Sequence, residues 1–376
     1  MGLFDRWKKN TKPDTVPPAK APTRAPVAQP VQVEVSFERD EIVPIEKRVA
    51  KLSPDRFGLY PHEILLLDYA PKFTTAGQKF QGFWDYSYGV SNVSSILKSL
   101  ISRGFIAKGS VADTVNQQTA AALKPVLVAH GLPATGTKPT LINRVLTEVP
   151  AADLEKTFPQ RFYALTDTGR AALDASPFIP YIHKHPTTEN LDMFLLSQMV
   201  TSNPALPWRD HVWRFLNDRS VQRAREGNWG LYRNVRHSMA DFVAEEERWL
   251  DAIGLNAEVC FWDTSGVSNG FRPDFLSIYA PYYFPFKDSG EKPAPAIVDR
   301  IFKWAGKAKL NDAELRALME RSIEQFSSPF HLFTKPEVID IVFFLRDENT
   351  AALTKVYAAA EQRFRAAYPD IDLTRS

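Results

Sequence analysis

Apolar residues recur at helical spacing over most of this chain and at alternate positions over little of it. From Pro61 the run P-H-E-I-L-L-L-D-Y-A predicts a helix to Ala70, with proline in its first turn. Phe83 to Val90 alternates aromatic with small or polar residues, which predicts a half-buried strand. Asn92 to Arg103 predicts a helix, because Val93, Ile96, Leu97 and Leu100 share a face and Gly104 supplies the stop. Phe105 to Lys108 reads as a short strand, and Arg161 to Thr166 as its partner. Thr166 or Asp167 then caps a short helix reaching Leu173. Between the two strands lie two more helices. Leu123, Val126 and Leu127 mark the first, which stops at His130-Gly131; Leu141, Ile142, Val145 and Leu146 mark the second. An extended link, Leu132 to Gly136, joins them, with Thr137 placed to cap the second and Pro139 in its first turn.

Beyond Pro177-Phe178-Ile179-Pro180 the pattern turns to longer helices. They are expected over 187–201, 208–221, 231–253, 295–305, 311–326, 334–344 and 349–368, with a capping signature at Asn311-Asp312-Ala313-Glu314. The aromatic run from Leu276 to Phe286 offers rings for base stacking, though a packing role is favoured. At the other end, prolines recur from Pro13 to Pro30 without apolar periodicity, which predicts an extended tether over residues 1–35. Order is expected to begin between Val33 and Pro54, with a helix over 41–51 broken at Pro44. The fold class expected is mainly α with a small β-wing: a unit at 55–175, an insertion at 111–157 and a helical C-terminal region at 177–376.

With 376 residues, 44% hydrophobic, the chain can bury a real core, as two or three domains. Its net charge of +2 sets up no global field for nucleic acid, so any such surface must be local. Cys260 is the sole cysteine, so an intramolecular disulfide framework is excluded, and its apolar neighbours Val259, Phe261 and Trp262 predict a buried, inert thiol. No apolar run approaches the roughly 18–20 residues of a membrane span, and Met1 to Lys9 lacks the apolar centre of a signal peptide. That start is amphipathic, with Leu3, Phe4 and Trp7 able to touch a membrane or partner weakly, but Arg6 breaks the myristoylation pattern. A soluble, cytoplasmic protein without stable membrane insertion is expected.

Two short helices joined by G-L-P-x-x-G-x-K, Gly131 to Lys138, resemble the SAP motif, a helix-extension-helix DNA-binding module. Leu123, Leu127, Gly131, Leu132, Gly136, Lys138, Leu141, Ile142 and Arg144 carry the likeness, over about 35 of the 376 residues. Free amides at the start of the second helix beside Lys138 suit a phosphate. The resemblance implies DNA contacts from Lys124, Gly136, Thr137, Lys138, Thr140 and Arg144. The same stretch is not a nucleotide-binding phosphate loop, because Thr137 stands where the lysine must be and a helix precedes it. Around this module, Leu97, Leu100, Arg103, Gly104, Phe105 and Ile106, then Tyr163, Leu165, Thr166, Gly169, Arg170 and Leu173, resemble the recognition helix and wing strands of winged-helix DNA-binding domains. The aromatic strand at 83–90 departs from that family, which has a helix there. The likeness implies that Asn92, Ser95, Lys98, Ser99, Ser102 and Arg103 face a DNA groove. The combination has a bacterial or phage character.

Candidate chemistry is sparse. His183 and His185 lack neighbours at metal-ligand spacing, and His237 with Asp241 supplies at most two ligands. Asp263-Thr264-Ser265-Gly266 and Pro273-Asp274 only approximate an aspartic-protease and a nuclease motif. No G-x-S-x-G occurs. Arg209, Arg214, Arg219, Arg223, Arg225, Arg233 and Arg236 crowd one span, but interleaved acids favour a salt-bridged face over a nucleic-acid patch. The expectation is a non-catalytic duplex-DNA-binding protein with no cofactor and no metal. Its C-terminal region would serve a protein partner or self-association. A protein adaptor without nucleic-acid binding is the alternative, and a nuclease or other enzyme centred on Glu245, Asp263 and Asp274 comes third.

Overall fold

The pairing that organises the N-terminal half joins segments more than fifty residues apart. A computed structural model describes residues 42–187, 189–269, 273–284, 286 and 291–373. The proline-rich stretch over 1–35 and the amphipathic start lie outside the described residues. Helix α1 (Ile45–Val49) begins after Pro44, which ends the preceding chain instead of breaking a longer helix. Helix α2 (Pro61–Tyr69) starts from a box in which the Glu63 carboxylate accepts the Tyr60 amide at 2.9 Å. It is followed by the one-turn helix α3 (Phe83–Tyr86) and by α4 (Val93–Ser102). Strand β1 (Ile106–Lys108) then pairs antiparallel with β2 (Tyr163–Leu165), Ile106 opposite Leu165. Thr74 makes an isolated bridge to Phe162, so β2 is flanked on both edges.

The strand expected over 83–90 is a helical turn. Alternation of aromatic residues suggested period two, yet of the four aromatic side chains the two that bury are Trp84 and Tyr88, four apart, which is helical spacing. Gly89, at φ +69°, closes the turn by donating to the Asp85 carbonyl at 2.7 Å; a Cβ there would stand 2.0 Å from the Val43 carbonyl oxygen. Both edges of β2 are already taken, so no further strand can pair with it.

Between β1 and β2 the chain builds a separate body from α5 (Val111–Gln117), α6 (Ala120–Ala129), α7 (Lys138–Glu148) and α8 (Ala151–Thr157). Val115, Leu123, Leu127, Leu141 and Val145 form its own small core. After β2, α9 (Asp167–Ala175), α10 (Phe178–Lys184) and α11 (Met193–Ser202) return to the main body. The buried residues of 59–106 and 172–373 belong to one continuous core.

That core is centred on a helix with no exposed face to speak of. The helix expected over 231–253 divides into α13 (Trp229–Ala244) and α14 (Trp249–Ser265), α12 (Trp208–Arg225) preceding them. The break falls at three glutamates, 245–247, with Glu247 at φ +59°. Helix α14 is buried almost all round, as a central helix must be. It packs against α13 and against α16 (Pro295–Ala308), α17 (Asp312–Ile323) and α18 (Lys335–Arg346); α15 (Leu276–Tyr279) lies before these and α19 (Thr350–Ala367) packs on α18. No helix among the described residues is long and apolar enough to cross a membrane.

Candidate nucleic-acid interface

Helix α4 turns its apolar stripe inward and leaves a narrow, small-residue face outside. Val93, Leu97 and Leu100 are buried; Ser94, Ser95, Lys98 and Ser102 are exposed, and Ser99 is half-buried. Asn92 caps the helix, its side-chain oxygen accepting the Ser95 amide at 3.0 Å. Gly104, at φ +80°, ends it. The strand that follows is locked to the far side of the insertion. The Thr166 hydroxyl donates to the Gly104 carbonyl at 2.6 Å, and its amide to the Phe105 carbonyl at 3.1 Å. Gly169 has no room for a side chain, since a Cβ would sit 2.0 Å from the Phe105 oxygen.

Arg103 does not face outward as a free cation. Its guanidinium donates to Glu63 Oε1 and to the Gly58 carbonyl, each at 2.6 Å, and so ties the end of α4 to the start of α2. Lys98 is exposed with no such bond, as are Lys108 on β1 and Arg170 on α9.

In the inserted body, Thr137 occupies the cap position of α7, but its hydroxyl meets the Thr140 hydroxyl at 2.9 Å instead of a helix amide. The Leu141 amide reaches the Thr137 carbonyl at 3.0 Å. Pro139 has no amide hydrogen, so the open donors of the first turn are those of Lys138 and Thr140. Gly136 sits at φ +126°, and Lys124 and Lys138 are exposed and unpaired. Arg144 has a different job. One guanidinium nitrogen donates to the carbonyls of Pro133 and, at 3.1 Å, Thr135, fastening the extended link to α7. The remaining basic groups are consumed locally: Lys156 pairs with Asp153 and Arg161 with Glu155.

Four of the arginines of α12 and α13 are paired, mostly with acids distant in sequence. Arg209 binds Glu245 and Glu246, and Arg223 reaches Glu189 at 2.8 Å and Glu226 at 2.9 Å. Arg233 grips Asp263 through two bonds of 2.6 and 2.8 Å. Arg236 holds Glu258, which is 2% exposed and also accepts the Tyr232 hydroxyl. Burial pushes both the Glu258 and Asp263 carboxyls up, against the pull of their arginines. His237 Nε2 takes a bond from Arg300 at 2.8 Å; arginine only donates, so the imidazole proton sits on Nδ1, facing the Asn256 oxygen at 3.2 Å. Among the described residues no three metal-ligating side chains stand together. Cys260 is fully buried, and burial raises its thiol well above the ordinary range. The Arg233–Asp263 and Arg236–Glu258 pairs were visible in sequence only as two arginines three apart on α13 and two acids five apart on the mostly apolar α14.

Compared with family models, curated proteins and solved structures, the chain matches none.

Proposed function

We propose that this chain binds duplex DNA without transforming it. The observation that carries this is the antiparallel pairing of Ile106–Lys108 with Tyr163–Leu165 directly after α4. Together with α2, the Thr74 bridge and the helical turn α3, it supports a helix, strand, helix, helix, strand, strand order of winged-helix type. The one-turn helix at Phe83–Tyr86, where the sequence pattern suggested a strand, supports the likeness to that family. The four-helix insertion in the wing, with its SAP-like α6–link–α7 hairpin, adds a second surface. Phosphate contact falls to exposed cations without partners: Lys98, Lys108, Lys124, Lys138 and Arg170, with the Lys138 and Thr140 amides. Arg103, Arg144 and Asn92 position these elements.

Fluorescence anisotropy of the full chain on a labelled duplex tests the reading across a salt series. Five phosphate contacts give a slope of log affinity against log salt of about −4.5, and each Lys→Glu change at 98, 124 or 138 reduces its magnitude by about one. Binding that salt does not reverse, or a triple Lys→Glu variant with unchanged affinity, ends the idea. A protein-adaptor reading is favoured by one feature, the exposed Phe275, Ile278 and Tyr282 at 42, 60 and 54%. It predicts a protein complex that survives nuclease treatment and no affinity for DNA.

A further inference from the structure

A groove of about 470 Å³ opens between α1, the start of α2 and α4. That is room for a small ring system. Ile45, Val49, Val90 and Ile96 give it apolar walls, and the rings of Tyr60 and His62 lie 19° from parallel at 6.2 Å. Two helix starts point into it, which would suit an anion, but the chain has already filled both roles. Glu63 takes the Tyr60 amide and Arg103, and Asn92 takes the Ser95 amide. With Glu46 and Glu63 against Arg103, the lining is negative on balance, so phosphate and carboxylate are disfavoured.

The polar groups left uncommitted on the walls are the Glu46 carboxylate, the hydroxyls of Tyr60, Ser91 and Ser95, and two groups able to donate, His62 and Asn92. His62 is 8% exposed, and neither ring nitrogen has a hydrogen-bond partner; Nδ1 is sealed off. Burial lowers this imidazole to about 4, so it is neutral near pH 7 and keeps one proton. Sealing a lone N–H without an acceptor is costly, which favours the proton on Nε2, the accessible edge. The Asn92 amide nitrogen is also uncommitted, since only its oxygen is used.

We propose that this groove binds an uncharged, planar nitrogen heterocycle bearing ring carbonyls, the chemistry of a carbonyl-bearing nucleobase. Ring carbonyls meet His62 and Asn92, and the flat faces fill the space between the aliphatic wall and Tyr60. Such a ring has two sources, a free nucleoside or a base turned out of DNA, and the groove itself does not depend on the DNA reading.

The test uses full-length protein with ¹⁵N-labelled histidine. Its imidazole nitrogens are followed by NMR during titration with uridine, cytidine, guanosine or adenosine, and with a hairpin duplex carrying one unpaired thymine or none. Carbonyl-bearing nucleosides are expected to shift the His62 nitrogens saturably, and adenosine to bind about tenfold more weakly. Measured by isothermal titration calorimetry, which needs no histidine signal, His62→Phe and, independently, the groove-filling Val49→Trp each lower affinity by about tenfold or more, the size of a buried hydrogen bond or a lost site. A response to the unpaired-thymine duplex but not to free nucleosides assigns the ring to DNA; a response to nucleosides assigns it to a small molecule. The proposal is overturned if no nucleoside and no unpaired-thymine duplex moves His62, if adenosine binds as well as the others, or if Val49→Trp leaves affinity unchanged.

Discussion

Replacing Arg236 by Met tests whether the charge network inside the helical body holds α13 to α14. Arg236 reaches Glu258 Oε2 through Nε at 2.8 Å and Nη2 at 2.7 Å, and Glu258 is 2% exposed. Methionine keeps much of the stem's packing and removes the charge. The carboxylate is then buried with only the Tyr232 hydroxyl for company, a situation that costs about 3–5 kcal/mol. In a body this large the melting temperature falls by about 2 °C per kcal/mol, so about 6–10 °C is expected. Adding Glu258→Gln removes the stranded charge and keeps an acceptor for Tyr232, so the double variant should recover about 2–4 kcal/mol of that loss. The sign with pH follows from burial, which already raises Glu258. A raised carboxyl binds its proton more readily folded than unfolded, so protonation favours the fold, and stability falls as pH rises from the unfolded toward the folded value. Without Arg236 that window widens, and the loss should be smaller at pH 5 than at pH 8. Chemical unfolding of the four members of the cycle, at both pH values, measures all of this. A cost under about 1 kcal/mol at neutral pH, or two single changes that simply add, would refute the reasoning.

Other outcomes follow from the local surroundings of single residues. Gly169→Ala drives a methyl against the Phe105 carbonyl oxygen and should cost about 1–3 kcal/mol or more; Gly306→Ala, in an open position of α16, should gain up to about 1 kcal/mol, both read by thermal melting. Leu127→Ala, in the small separate core, should cost about 2–5 kcal/mol confined to the insertion. Hydrogen exchange should then quicken over 111–157 and stay slow in α14; equal quickening in α14 would show that the two cores unfold together. Arg144→Met should loosen the link whose Pro133 and Thr135 carbonyls its guanidinium now holds, and so speed exchange of the adjoining Leu132 amide, bonded to the Leu127 carbonyl, while Lys138→Glu leaves it unchanged.

Helix positions were legible wherever a cap and an apolar stripe coincided. Asn92, Thr166, Asn311 and Thr334 each receive the amide their place in the sequence implies. Period alone misled at 83–90, because aromatic residues at alternate positions look like a strand until burial selects Trp84 and Tyr88. The division at 245–248 was hidden for another reason: the apolar pattern runs on, and the chain turns where Glu245 and Glu246 meet Arg209 from α12 and Glu246 also meets the adjacent Arg248. For the candidate interface, exposure followed from the stripe, but occupancy did not. Nothing local to Arg103 or Arg144 announces that one spans to Glu63, forty positions back, and the other to backbone carbonyls. Cations that look alike in sequence therefore divide into those free to meet a phosphate and those spent on holding the scaffold.

The same contacts bear on how the two proposed surfaces act together. An insertion is tolerated in a hairpin when its ends sit side by side, and here the Gly109 amide donates to the Phe162 carbonyl at 2.9 Å. Entry and exit cost the parent fold little loop entropy. The attachment is also stiff. Gly109 has no space for a Cβ beside that carbonyl, the Thr75 amide holds the Arg161 carbonyl at 2.8 Å, and α5 packs on the turn at 70–72. Two weak surfaces on a loose tether reinforce each other on almost any duplex, whereas surfaces at fixed spacing do so only where the phosphates match that spacing. On the proposed function, then, selectivity arises from DNA shape more than from base edges. Lengthening the joint with glycines after Lys108 and before Arg161 should keep binding to each half but flatten the preference among straight, bent and unpaired duplexes, and a preference that survives the glycines would place selectivity in α4 alone.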